Sequence, residues 1–171
     1  MSVQIADQQE FIPRAKAACR RAVEEVLGNR KVVVALVDDK TIAEVHGRFL
    51  DDPTPTDVIS FPHGEIVVSA ETAAREARSR GIDPLDELLL YVVHGSLHLK
   101  GHDDRSAKAS AQMRAAERQV LKKLGLGDVF GTSVPKPVAG RRNARRALRT
   151  GAAGGSRKKT SGRRKKPRRR G

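Results

Sequence analysis

The segment Leu88-Leu89-Leu90-Tyr91-Val92-Val93-His94-Gly95-Ser96-Leu97-His98-Leu99 constrains this chain more than any other. Asp83-Pro84 opens a helix there, with proline at the first helical position, where its missing N–H is no loss. Gly101 closes it. The pattern between is apolar almost all round, as in a helix covered on every side. A chain of 171 residues can wrap one such helix in a single domain and still leave an appendage. With four Phe, one Tyr and no Trp, the wrapping must be aliphatic.

Periodicity supplies the wrapping. Ser2–Ala6 alternates as an edge strand, and Gln8–Leu27 repeats Ile12, Ala15, Cys19, Ala22 and Val26 at helical spacing up to Gly28-Asn29. Cys19, the only cysteine, reads as a small buried hydrophobe; it rules out an intrachain disulfide and a cysteine-type zinc cage. Lys31–Val37 is β-branched and nearly all apolar, a buried central strand. Asp38–Phe49 is a helix capped by Asp38 or Asp39. Asp57–Phe61 and Glu65–Ser69 form a hairpin across a short turn; Ala70–Arg80 and Ser106–Leu124 are helices. The expected fold is α+β: about four strands in a mixed sheet, packed with about five helices around a central helix carrying a zincin-like metal motif.

The net charge of +14 is unevenly spread. Pro135–Gly171 holds 16 Lys or Arg and no acid, which leaves 18 bases against 20 acids in residues 1–134. Residues 1–131 are therefore expected to form a domain in which any binding of nucleic acid must rest on a site rather than on bulk charge, and 132–171 a disordered basic tail. Arg141, Arg142, Arg145, Arg146, Arg163, Arg164, Lys165 and Lys166 are its candidate phosphate contacts, without interleaved aromatics for base stacking. A solvated extension without function is the other reading of these runs. No basic segment followed by an apolar stretch opens the chain, and no apolar run approaches the ~20 residues that span a bilayer, so the cytoplasm is the expected location.

His94 and His98 stand four apart on one helix face, with Cα atoms about 6 Å apart. Two imidazoles so placed can share a zinc ion at about 2.1 Å. Two residues compete for the third ligand. His102 continues the four-residue rhythm, but on an unbroken helix it would lie about 12 Å from His94. Gly101 can instead take a left-handed conformation and turn the chain so that Asp104 meets the metal. His-x-x-x-His-x-x-Gly-x-x-Asp then has the spacing of the metzincin signature. Three protein ligands leave a place for water, as in catalytic rather than structural zinc sites. A zinc peptidase of this spacing carries a glutamate base directly after its first histidine. Here that position is Gly95, which disfavours peptide hydrolysis and leaves space beside the metal for a bulky substrate.

His94-Gly95-Ser96-Leu97-His98-Leu99-Lys100-Gly101-His102-Asp103, together with Pro55-Thr56-Asp57-Val58-Ile59-Ser60-Phe61-Pro62, resembles two blocks of the bacterial YbeY family. Gly64–Ser69 and Ala74–Glu76 are similar to its next strand and helix, and the likeness covers roughly residues 1–128. The resemblance implies a zinc-dependent endoribonuclease of single-stranded RNA, acting in 16S 3′-end maturation and ribosome assembly with ribosomal RNA and the small subunit as partners. Two positions depart from the family pattern. Asp104 stands where the family has its third histidine, and Leu50 stands where it has a basic loop residue. Arg48 is the nearest substitute for handling phosphate, or else a solvated helix-end residue. Asp103 either orients a metal-binding histidine or caps the turn. Thr56, Asp57 and Ser60 either line the substrate groove or serve the strand. A noncatalytic RNA-binding assembly protein with a structural metal is the alternative to the nuclease.

Overall fold

A computed structural model describes residues 3–126. Four strands and five helices follow in the order β1 (Val3–Asp7), α1 (Ala15–Leu27), β2 (Val32–Val37), α2 (Asp39–Leu50), β3 (Val58–Phe61), β4 (Glu65–Ser69), α3 (Ala70–Arg80), α4 (Pro84–Lys100) and α5 (Ala107–Lys123). The sheet runs β1-β2-β4-β3, parallel except for the β3–β4 hairpin. This is the mixed α+β fold expected from the pattern.

Alternation divides the sheet into two faces. Val32, Val34, Leu36, Val58, Ile66 and Val68 join the larger core with α1, α4 and α5. Val37, Ile59 and Val67 turn the other way, toward Ile42 of α2. Helix α4 lies among α1, α3, α5, β3 and β4, with Glu87–Val93 and Gly95–Leu97 buried. Its lone buried acid, Glu87, accepts from Arg80 of α3 at 2.5 Å. Covering on all sides is what holds its two histidines stiffly.

One expected boundary moves. Helix α1 begins at Ala15, not Gln8. Pro13 disfavours helical backbone at Ile12, and Arg14 is left-handed at φ 62°. Gln9 serves the freed backbone instead: its Oε1 accepts from Phe11 N and Ile12 N, both at 2.7 Å. Cys19 is fully buried, and burial with Asp7 nearby pushes its thiol up to about 12, so it packs as an inert hydrophobe.

Candidate metal centre

His94 and His98 project from one face of α4, with ring planes at 81° and Nε2 atoms 2.9 Å apart. Gly101 ends the helix at φ 106°, a conformation that favours glycine, and its N–H bonds back to His98 O and Leu97 O. His102 N donates to Leu97 O at 3.0 Å, completing a Schellman-type turn. The turn brings Asp104 Oδ2 to 3.7 Å from His94 Nε2 and 3.6 Å from His98 Nε2.

The far side of each ring fixes its tautomer. His98 Nδ1 lies 3.0 Å from the backbone oxygen of His102, which can only accept, so Nδ1 carries the proton. His94 Nδ1 lies 2.6 Å from the carboxylate of buried Glu117 on α5 and donates to it in the same way. With Nδ1 the hydrogen-bond donor of each ring, the two Nε2 atoms face each other and a carboxylate oxygen. Three acceptors converging in this manner call for a cation. Donors about 2.1 Å from one tetrahedral ion are about 3.4 Å apart, and the three separations here are 2.9, 3.6 and 3.7 Å. The set therefore fits one metal ion, and among the described residues it is the cluster able to hold one.

The sequence pattern of the family described as "Endoribonuclease YbeY" matches residues 2–125. The chain belongs to the YbeY family. A relative named Endoribonuclease YbeY from Rhodopirellula baltica is 44% identical over 122 residues, covering 66% of this chain and 63% of its own length. Relatives of the same name from Azorhizobium caulinodans and Protochlamydia amoebophila are 34% and 36% identical, covering 70% and 67% of this chain and 82% and 87% of their own. The solution structure of a Thermotoga maritima protein superposes with a TM-score of 0.51 at 25% identity, over 75% of this chain and 98% of that one.

The remaining candidates of this YbeY-family chain fall in several places. His102 is outside the cluster and contributes only its carbonyl. Asp103 is half-buried and accepts from Asp104 N at 2.8 Å and from Arg105, whose hydrogen bond holds the Asp103 carboxyl well below its usual range. Its contacts are thus within the turn that aims Asp104. Ser60 Oγ donates to Gly95 O at 3.2 Å. Asp57 Oδ1 accepts from Val58 N at 2.7 Å and from the Thr56 hydroxyl at 3.1 Å, bracing the start of β3. Arg48 is exposed on the last turn of α2 and has no hydrogen bond or ion pair among the described residues. Residues 132–171, with all the tail candidates, lie outside the described residues.

Gly95 does not open space at the metal, as the sequence suggested. A Cβ there would lie 2.8 Å from Ile66 Cγ2, 2.9 Å from Ser60 Oγ and 3.0 Å from Val58 Cγ2. The glycine lets α4 press against β3 and β4, so the position that bears a peptidase's base here faces the sheet and has no room for a glutamate.

Glu117 was missed. Its signal was present: Met113, Glu117 and Leu121 form one stripe of α5, and all three are buried. An acid within an apolar stripe asks for a buried partner.

Proposed function

We propose that this chain is a metal-dependent endoribonuclease of single-stranded RNA, with one zinc ion held by His94, His98 and Asp104. The supporting observation is the convergence of two imidazole nitrogens and a carboxylate oxygen, all within 4.8 Å of one another, on a covered helix. The relatives' name, Endoribonuclease YbeY, gives the reaction class. Zinc supplies Lewis acidity toward a phosphoryl oxygen and makes water a better nucleophile near neutral pH. The chain's own residues set the stage. Glu117 and the His102 carbonyl hold both Nδ1 protons, so both Nε2 lone pairs face the ion. The Asp103–Arg105 turn aims Asp104. Arg48, an unengaged cation, meets the substrate phosphate, while Ser60, Thr56 and Asp57 shape the groove wall. Asp104 in place of histidine makes the donor set harder and more tolerant of manganese.

In this reading residues 1–131 are the hydrolase domain. The substrate is ribosomal RNA, at the 3′ end of the 16S species, and the work is done in the cytoplasm during small-subunit assembly. The basic segment 132–171 anchors the enzyme to RNA phosphates. No helix among the described residues is long and apolar enough to cross a membrane.

The test is metal content and RNA cleavage of the purified chain beside its His94→Ala variant. Wild type should retain about one metal ion and cut single-stranded RNA; equal cutting by the variant overturns the assignment. Deleting Pro135–Gly171 should weaken ribosome association and leave cleavage intact.

A further inference from the structure

Aromatic residues are scarce in this chain, yet two of its four phenylalanines meet at one exposed place. Phe49, on the last turn of α2, is 58% exposed. Its ring centroid lies 5.3 Å from that of Phe61, edge to face at 73°. Phe61 ends β3 and stacks on His63 of the following turn, centroids 5.5 Å apart and planes at 28°. The His63 side chain is 67% exposed. Three rings therefore form a row along β3, which is an edge of the sheet.

Strand β3 links the row to the helix that carries the metal cluster. Ser60 turns toward α4, where it touches Gly95 beside His94. Phe61, the next residue, turns to the other face and packs with the α2 layer. An extended strand wrapping the edge of β3 would lie on the rings at one end and reach the imidazoles at the other.

Exposed rings cost solubility unless something covers them. What suits this row is a flat, apolar face that arrives with a negative charge. Arg48, next to Phe49, is exposed and makes no hydrogen bond or ion pair among the described residues. The rest of residues 1–134 carries no excess positive charge, so uncharged contacts must supply much of this domain's hold on a polynucleotide. Stacking on aromatic rings beside a cation is the chemistry that single-stranded nucleic acids use, and it is indifferent to sequence. We infer that Phe49, Phe61 and His63 form a stacking surface for unpaired bases of the RNA strand whose phosphodiester reaches the metal cluster. The inference rests on the nuclease reading above.

Phe49 is the residue to change, because its exposure makes substitution harmless to the core. The full chain is titrated, in chelator to prevent cleavage and in enough salt to weaken phosphate contacts of the basic segment, with a labelled single-stranded RNA. A strand of equal length and charge that lacks bases is titrated in parallel. Phe49→Leu keeps apolar contact but has no ring face, so it should bind the normal strand about fivefold or more weaker, the low end for one stacked base. It should bind the abasic strand like wild type. Phe49→Tyr keeps the ring and should match wild type on both. Equal affinity of the Leu variant for the normal strand overturns the inference and assigns the row to a protein contact. Equal losses on both strands, or a Tyr variant as weak as Leu, also overturn it. A wild-type chain that never cleaves RNA with added zinc, yet shows the difference between the two strands, removes the nuclease reading and leaves the stacking surface standing.

Discussion

Two half-buried polar clusters flank the core of this chain, and they are built to opposite rules. At the C-terminal ends of β2 and β4, Asp39 Oδ1 accepts from Ser69 Oγ at 2.5 Å and Thr72 Oγ1 at 2.6 Å, while Arg75 meets Oδ2 at 2.6 Å. Arg75 also donates to Thr72 at 2.8 Å. Donors and acceptors, and opposite charges, are matched within the chain. Around His94, His98 and Asp104 the outer side is matched, where Glu117 and the His102 carbonyl take the Nδ1 protons. The inner side gathers acceptors. A cluster complete in itself ties elements together; a cluster that collects acceptors is completed by a cation from outside. The difference predicts that changes at the first cluster affect folding and changes at the second affect metal.

The largest effect should come from His94→Ala. Removing one of three donors should abolish metal retention and lower cleavage by more than the ~10–100-fold expected for an outer partner. Thermal unfolding should fall below that of chelator-treated wild type, since the buried Glu117 carboxylate loses its partner. Metal analysis and a cleavage time course check this. Asp39→Ala should act on the fold alone. Loss of a carboxylate that receives three hydrogen bonds should cost about 2–4 kcal/mol in denaturant unfolding, with metal affinity unchanged. If Asp39→Ala loosened the metal as much as the fold, the proposed division would fail.

The same contrast decides what the sequence made legible. Every element was visible from hydrophobic period and capping residues, because each side chain there acts through its nearest neighbours along the chain. Asp83 caps α4 as expected, Ser69 caps α3, and Gly101 turns the chain toward Asp104. Relations across the fold were hidden. Of the two candidate caps of α2, Asp38 is the cap, while Asp39 reaches residues 30, 33 and 36 positions away. His46, buried on α2, holds the loop before β3 through Thr54 O at 2.8 Å, which no spacing announced. Gly95 was read for the space it leaves, whereas the space is filled by the sheet. Helical periodicity runs back to Gln8, but the local veto of Pro13 starts α1 at Ala15.

Glu117→Leu sharpens the comparison at the next level. Leucine suits the stripe between Met113 and Leu121 and removes a buried carboxylate, so stability should hold or rise. The His94 ring, without its acceptor, loses its fixed tautomer, and metal affinity should fall about 10–100-fold. A competition titration with a chelator of known affinity measures this. A variant that lost stability and kept its metal would make Glu117 a structural acid like Asp39.

A smaller effect separates the clusters by pH. Burial alone would raise the Asp39 carboxyl, but hydrogen bonds from Ser69, Thr72 and Arg75, with the charge of Arg75, outweigh it and hold it below the ordinary value. A lowered folded-state pKa adds stability that is fully present above the unfolded value, about 3.9, and is lost as pH falls through the folded value. Wild type should therefore lead Asp39→Asn at neutral pH and lose that lead below about pH 4. Parallel curves down into acid would mean that the charge of Asp39 contributes nothing.

Asp104→His should give the smallest change and the most specific one. It restores the residue found at this place in the family pattern and replaces a hard oxygen donor by imidazole, which favours zinc over manganese. The turn, however, is set for a short side chain: Asp103 and Arg105 fix it, and the Asp104 oxygen already stands 3.6–3.7 Å from both nitrogens. The longer imidazole must push that turn outward to reach the same point, which offsets part of its gain as a ligand. A modest rise in zinc preference with unchanged folding would show that the turn yields. Weaker binding of both metals would show that Gly101, Asp103 and Arg105 are fitted to a carboxylate, and that the aspartate is part of this site's design rather than a tolerated departure.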